Sequence, residues 1–176
     1  MNTLDLVLAI ELLGLAPAHP YRRLATALTH TSALNENVGL QPGQKQQAKR
    51  DYFRLAHLGD ALLNAVVTEH LFNLNWGELT KENLHDIRKK ICCREALALL
   101  ASEIGINKAC ALGQGEGSGN PLAKPALYGE MFEAVAGAVY LDLESDFGRF
   151  TDWCLELFLK RRTRELLGSG YLEVDE

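Results

Sequence analysis

Apolar residues recur at helical spacing along most of the chain, and the breaks between these runs carry proline, glycine or polar clusters. Leu4 to Leu15 is a first such run, closed by Pro17 and Pro20, and Tyr21 to His30 reads as a second, short helix. Residues 35–51 turn polar, with Gly39, Pro42, Gly43 and a run of Gln and Lys, which predicts a mobile surface loop. Helix resumes at Tyr52 and runs to Asn73. Its apolar residues, from Leu55 and Leu58 to Leu71 and Phe72, fall on nearly every side, the pattern of a central, buried helix. Glu78 to Leu100 is amphipathic, with Leu84, Ile87 and Ile91 on one stripe, and Gly105 follows its end. Gly113 to Gly119 is glycine-rich and reads as loop; Leu127 to Leu141 is a second nearly all-apolar helix, and Phe147 to Leu167 a last amphipathic one before Gly168. No stretch alternates with period two, so the expected class is all-α without strands.

Length and composition narrow the organisation. At 176 residues and 47% hydrophobic content the chain suits one domain over 1–170, with 171–176 as a frayed tail. Its apolar runs fall short of the ~20 residues a membrane helix needs, and the N-terminus lacks the basic region and cleavage site of a secretory signal. The expectation is a soluble chain without membrane partners, cytoplasmic or in an organellar matrix or stroma. The four cysteines, Cys92, Cys93, Cys110 and Cys154, form no C-x-x-C pair and have no histidines at zinc-finger spacing, so they read as reduced, buried thiols. A net charge of −5 excludes nucleic-acid binding by a global positive field, leaving local basic patches or bound cations.

Two of the predicted helices carry carboxylates in apolar company. Asp60 has Ala56 and Leu63 one turn away and Val67 two turns away, with no basic residue on its face. Glu133 is the only charge between Met131 and Leu141, and Glu130 precedes it by three, on the same face. An ionised carboxylate in such a setting is relieved by protonation, by a basic partner or by a metal. Arg54, His30 and His57 are candidate partners; alternatively Asp60, Glu133 and Glu130 converge on a hard divalent cation, which takes oxygen ligands. The small Gly59, Ala61, Ala134 and Gly137 would let the two helices approach closely, but spacing alone leaves both readings open.

Four segments in order resemble the ribonuclease III family. They are Thr29-His30-Thr31-Ser32-Ala33, then Arg54 to Leu63 (RLAHLGDALL), then Leu84 to Ala98 (LHDIRKKICCREALA), and finally Gly113-Gln114-Gly115-Glu116 with Tyr128 to Asp142 (YGEMFEAVAGAVYLD). The resemblance covers roughly Tyr21 to Leu167. It implies the ribonuclease III endonuclease-domain fold in a helical homodimer, acting on double-stranded or structured RNA, with ribosomal RNA maturation as the setting. It further implies Mg²⁺, with Mn²⁺ as a substitute, on Asp60 and Glu133, with Glu130 directly or through water, and these three as the catalytic residues.

The sequence also departs from the family pattern. Ala56 stands where the signature carries glutamate, His57 where it carries an aromatic that enters the dimer partner, Phe53 where a further acid is usual, and Glu130 where an aspartate is usual. The compact mini-ribonuclease III subgroup has a similar alanine-containing signature and lacks the double-stranded RNA-binding domain, which this chain is likewise expected to lack. Other members have lost their acids and persist as RNA-binding or ribosome-associated domains, so a binding module is the alternative to an enzyme. Lys81, Arg88, Arg94 and Lys124 are the candidate RNA contacts, of the kind that read shape and backbone. His30 and Ser32 are expected to pin helices together; His57 is open between a dimer contact, a partner for Asp60 and an interior histidine.

Overall fold

The computed structural model describes residues 4–74, 79–116 and 120–168; the tail at 171–176 and residues 117–119 of the glycine-rich loop lie outside them. The regular elements among the described residues are all helical, with one isolated parallel bridge between Thr29 and Ala111 in place of any strand. The helices are α1 (Leu6–Leu12), α2 (Leu24–Ala27), α3 (Thr31–Glu36), α4 (Pro42–Asn73), α5 (Lys81–Cys92), α6 (Arg94–Ile104), α7 (Pro125–Asp142), α8 (Phe147–Cys154) and α9 (Lys160–Leu167). A π-helical turn, Leu155–Leu159, joins α8 to α9.

The centre of the molecule is α7. It packs against α4, α6, α2 and α8, and every residue from Met131 to Val139 is buried. Burying a Val, Leu, Phe or Met side chain contributes about 1.5–3 kcal/mol, so an element buried on all sides organises the rest around itself. The sequence pattern assigned the same role to α4, and here the structure differs. Leu55, Gly59, Leu63, Val66, Val67 and Leu71 face the core, whereas His57, Ala61, Ala65 and Phe72 are exposed. Apolar residues around a helix record both its core stripe and whatever else the other side meets.

Three boundaries moved for identifiable reasons. The polar stretch 35–51, expected as loop, is helical from Pro42, because proline suits the first helical position and Gln44 Oε1 accepts from the Gln41 backbone N–H at 2.9 Å to close the start. Its side chains stay on the surface, with Gln47 donating to Asp51 at 2.9 Å one turn on. The run Tyr21 to His30 yields only the single turn of α2, since His30 turns extended to cap α3. The run Glu78 to Leu100 breaks at Cys93, whose φ −69° and ψ 154° end α5 and begin α6.

Candidate active site

Two glycines set the distance between the helices that carry the acids. A Cβ on Gly59 of α4 would stand 1.7 Å from the Glu133 carbonyl oxygen, and one on Gly137 of α7 would stand 2.2 Å from that of Leu55. Backbone therefore meets backbone at the crossing, an approach only glycine permits. Asp60 follows Gly59 directly and Glu133 lies one turn before Gly137, so the close crossing brings the acids to one place. A third contact adds α6: a Cβ on Gly129 would lie 2.7 Å from the Arg94 carbonyl oxygen, which seats Arg94 beside Glu130 and Glu133.

These elements enclose a cavity of about 440 Å³ lined by Asp60, Glu130, Glu133 and Arg94, with Phe53, Ala56, His57, Cys92 and Cys93. The three sequence-predicted acids thus share one cavity. They differ in setting, however. Glu133 is buried, and burial, together with the charges of Asp60 and Glu130 and against that of Arg94, pushes its carboxyl up to about 7. Asp60, expected among apolar neighbours, is exposed, because α4 turns that face outward. Its Oδ1 and its backbone carbonyl both accept from Asn64 Nδ2, at 3.0 and 2.8 Å. Asn64 Oδ1 in turn accepts from Arg88, and Arg88 Nη2 lies 3.1 Å from His85 Nδ1. Arg88 is thereby engaged in an Arg88–Asn64–Asp60 chain that orients Asp60.

Arg94 reaches both glutamates, Nη2 lying 3.5 Å from Glu130 Oε2 and Nε 3.9 Å from Glu133 Oε1. Among the described residues no three His, Cys, Asp or Glu side chains are grouped closely enough to hold a metal as they stand. The donor set nonetheless suits a hard divalent cation: three carboxylates around one cavity, with repulsion and burial disfavouring the charge on Glu133. The Tyr52 hydroxyl is buried without a hydrogen-bond partner; burial above all, helped by the charges of Glu130 and Glu133, keeps it protonated.

The other predicted residues stand apart from the acids or outside their partnerships. Lys124 Nζ bonds the Glu116 carbonyl at 2.6 Å and its carboxylate at 2.7 Å, holding Glu116 below the usual carboxylate range and tying the glycine-rich loop to α7. Lys81 opens α5 and is exposed. His30 Nδ1 lies 2.8 Å from Ser32 Oγ, which accepts from the Gly113 N–H at 3.0 Å, so this pair joins α3 to the loop. Burial against the Tyr52 ring holds the His30 imidazole below its ordinary range. His57 lines the cavity and is exposed, and Arg54 sits 3.9 Å from Asp51. Sequence reasoning missed the cavity role of Arg94 and the part of Asn64. A helical wheel run through Cys93 misphases everything after it, and no glycine or proline marks the break.

The helical layers and the acid-lined cavity define a helical domain of nuclease-domain fold. A family model described as Ribonuclease-III-like matches residues 22–160, and the chain belongs to that family. Ribonuclease 3 from Syntrophomonas wolfei is 36% identical over 119 residues, covering 68% of this chain and 47% of that protein. Ribonuclease 3 from Halalkalibacterium halodurans is 31% identical over 147 residues, covering 84% and 50%. The chain thus spans about half the length of these relatives. In fold it resembles the nuclease domain of ribonuclease III from Campylobacter jejuni, with a TM-score of 0.67 at 22% identity over 89% of this chain and 97% of that one, a structure that records flexibility in a region involved in dimer formation. A second structure of that domain gives a TM-score of 0.64. No helix among the described residues is long and apolar enough to cross a membrane.

Proposed function

We propose that this chain is a divalent-metal-dependent endoribonuclease that hydrolyses phosphodiesters in double-stranded or structured RNA and works as a homodimer. One observation carries the reading: Asp60, Glu130 and Glu133, drawn from two helices, line a single cavity. Asp60 and Glu133 would hold Mg²⁺, or Mn²⁺ in its place, with Glu130 directly or through water; a bound ion supplies a water of lowered pKa and charge stabilisation at phosphorus. The protein's own part is to aim Asp60 through Asn64 and Arg88, and to place Glu133 where its carboxylate is costly without a cation. Ribosomal RNA precursors, met in the cytoplasm and presented by a ribosome-associated protein, are the substrates in keeping with a chain that has few spare cations at the site. Lys81, exposed at the start of α5, would be the remaining contact to the RNA backbone.

The test is a metal-titrated cleavage assay on long duplex RNA. Magnesium-dependent cutting lost in Asp60→Asn and in Glu133→Gln is the expected result. A second reading is favoured by Arg94, whose guanidinium stands beside Glu130 and Glu133 and offsets part of their charge, in a cavity where Ala56 supplies no carboxylate. On that reading the domain binds duplex RNA or ribosomes without cutting, and RNA affinity survives both substitutions at every metal concentration.

A further inference from the structure

We infer that Arg94 is an internal counter-ion of the acid cavity, resting on Glu130 and Glu133 in the metal-free protein and displaced when a divalent cation enters. The inference rests on the metal-dependent reading above and adds how the empty site is kept folded. Three features of the chain support it.

First, Arg94 is the first residue of α6, an 11-residue helix. A helix start favours acids and opposes cations, so an arginine there has local reason to seek carboxylates. Second, Gly129 removes the side chain that would hold α6 away from α7, so Arg94 is seated by its backbone beside the two glutamates rather than reaching from afar. Third, the contacts are loose: 3.5 and 3.9 Å, with the Arg94 side chain half exposed. Ion pairs of that kind are weak, which suits a group that must yield. A short, bidentate, buried pair would instead compete with any ion at heavy cost. The guanidinium and a divalent cation neutralise the same two carboxylates, so occupancy by one weakens the hold of the other.

The experiment measures Mn²⁺ binding by calorimetry and thermal unfolding with and without metal, on the full chain, without reference to cleavage. Arg94→Gln is expected to raise Mn²⁺ affinity roughly fivefold and to lower the melting temperature in EDTA, with the gap to the parent closing at saturating Mn²⁺. Lys90→Gln removes one exposed positive charge from the neighbouring helix and sets the through-space background, which is expected to be less than twofold. Arg94→Lys, which keeps the charge and loses the fork that spans two carboxylates, should fall between Gln and the parent. Parent and Arg94→Gln proteins that bind Mn²⁺ equally, or a melting gap that persists at saturating Mn²⁺, overturn the counter-ion exchange while leaving the nuclease reading intact. Absence of Mn²⁺ binding in every protein overturns both.

Discussion

The two carboxylates at the heart of the cavity have opposite environments, and that predicts opposite behaviour on substitution. Glu133 is buried with its carboxyl raised to about 7, above its ordinary 4.5, so the folded protein holds a proton there that the unfolded chain has released. Stability from this group is therefore present below about pH 4.5 and is lost as pH rises toward 7. In EDTA, Glu133→Gln should flatten the decline of melting temperature between pH 5 and 7; an unchanged slope would show that Glu133 titrates normally. By the same sign, metal affinity should climb through pH 7 as the carboxylate becomes available. Asp60 is exposed, so Asp60→Asn should leave the melting temperature within about a degree while costing at least ~100-fold in cleavage, a split readable from one protein preparation. Asn64→Leu removes the Asn64 link between Arg88 and Asp60 and should cost roughly 10–100-fold in metal affinity with Asp60 still in place. The acids themselves were legible in the sequence, since a lone charge in an apolar helix has few explanations. Asp60's true exposure was not, because periodicity reports which residues are apolar and is silent on which side of α4 the core occupies.

At the scale of elements, the α4–α7 crossing carries the most weight. Gly59→Ala or Gly137→Ala would drive a methyl into backbone at 1.7 or 2.2 Å, where no rotamer can yield. Each is expected to destabilise by more than ~3 kcal/mol or to prevent folding, against the 1–3 kcal/mol usual for overpacking. Denaturant unfolding reads the difference, and a loss under 1 kcal/mol would mean the helices can part without harm. At the other end of the range, Thr80 caps α5, accepting from Asn83 N–H at 3.2 Å, and Thr80→Ala should cost about 1 kcal/mol. Helix identity was readable for the long periodic runs: α7 fell within two residues of expectation at its start and one at its end. Breaks were readable only where chemistry marks them. Pro42 was read with its polar neighbours as loop, whereas it opens α4 with Gln41 and Gln44 closing the start; the kink at Cys93 has no marker, and with it went the facing of Arg94.

For the whole molecule, the balance of charge bears on the proposed RNA substrate. With a net charge of −5, and with Arg88, Arg94 and Lys124 engaged in partnerships inside the fold, affinity from phosphate neutralisation should be small. RNA binding by the chain is accordingly expected to depend more steeply on divalent metal than on monovalent salt. A filter-binding series in NaCl, with and without Mg²⁺, checks this; a salt slope of several phosphate contacts in the absence of Mg²⁺ would contradict it. Because the same backbone contact at Gly59 and Gly137 seals the hydrophobic interior and spaces the acids, a chain cannot reach its native packing with the carboxylates out of register. A substitution at either glycine is therefore expected to lower the amount of folded protein instead of yielding a folded one with misplaced acids.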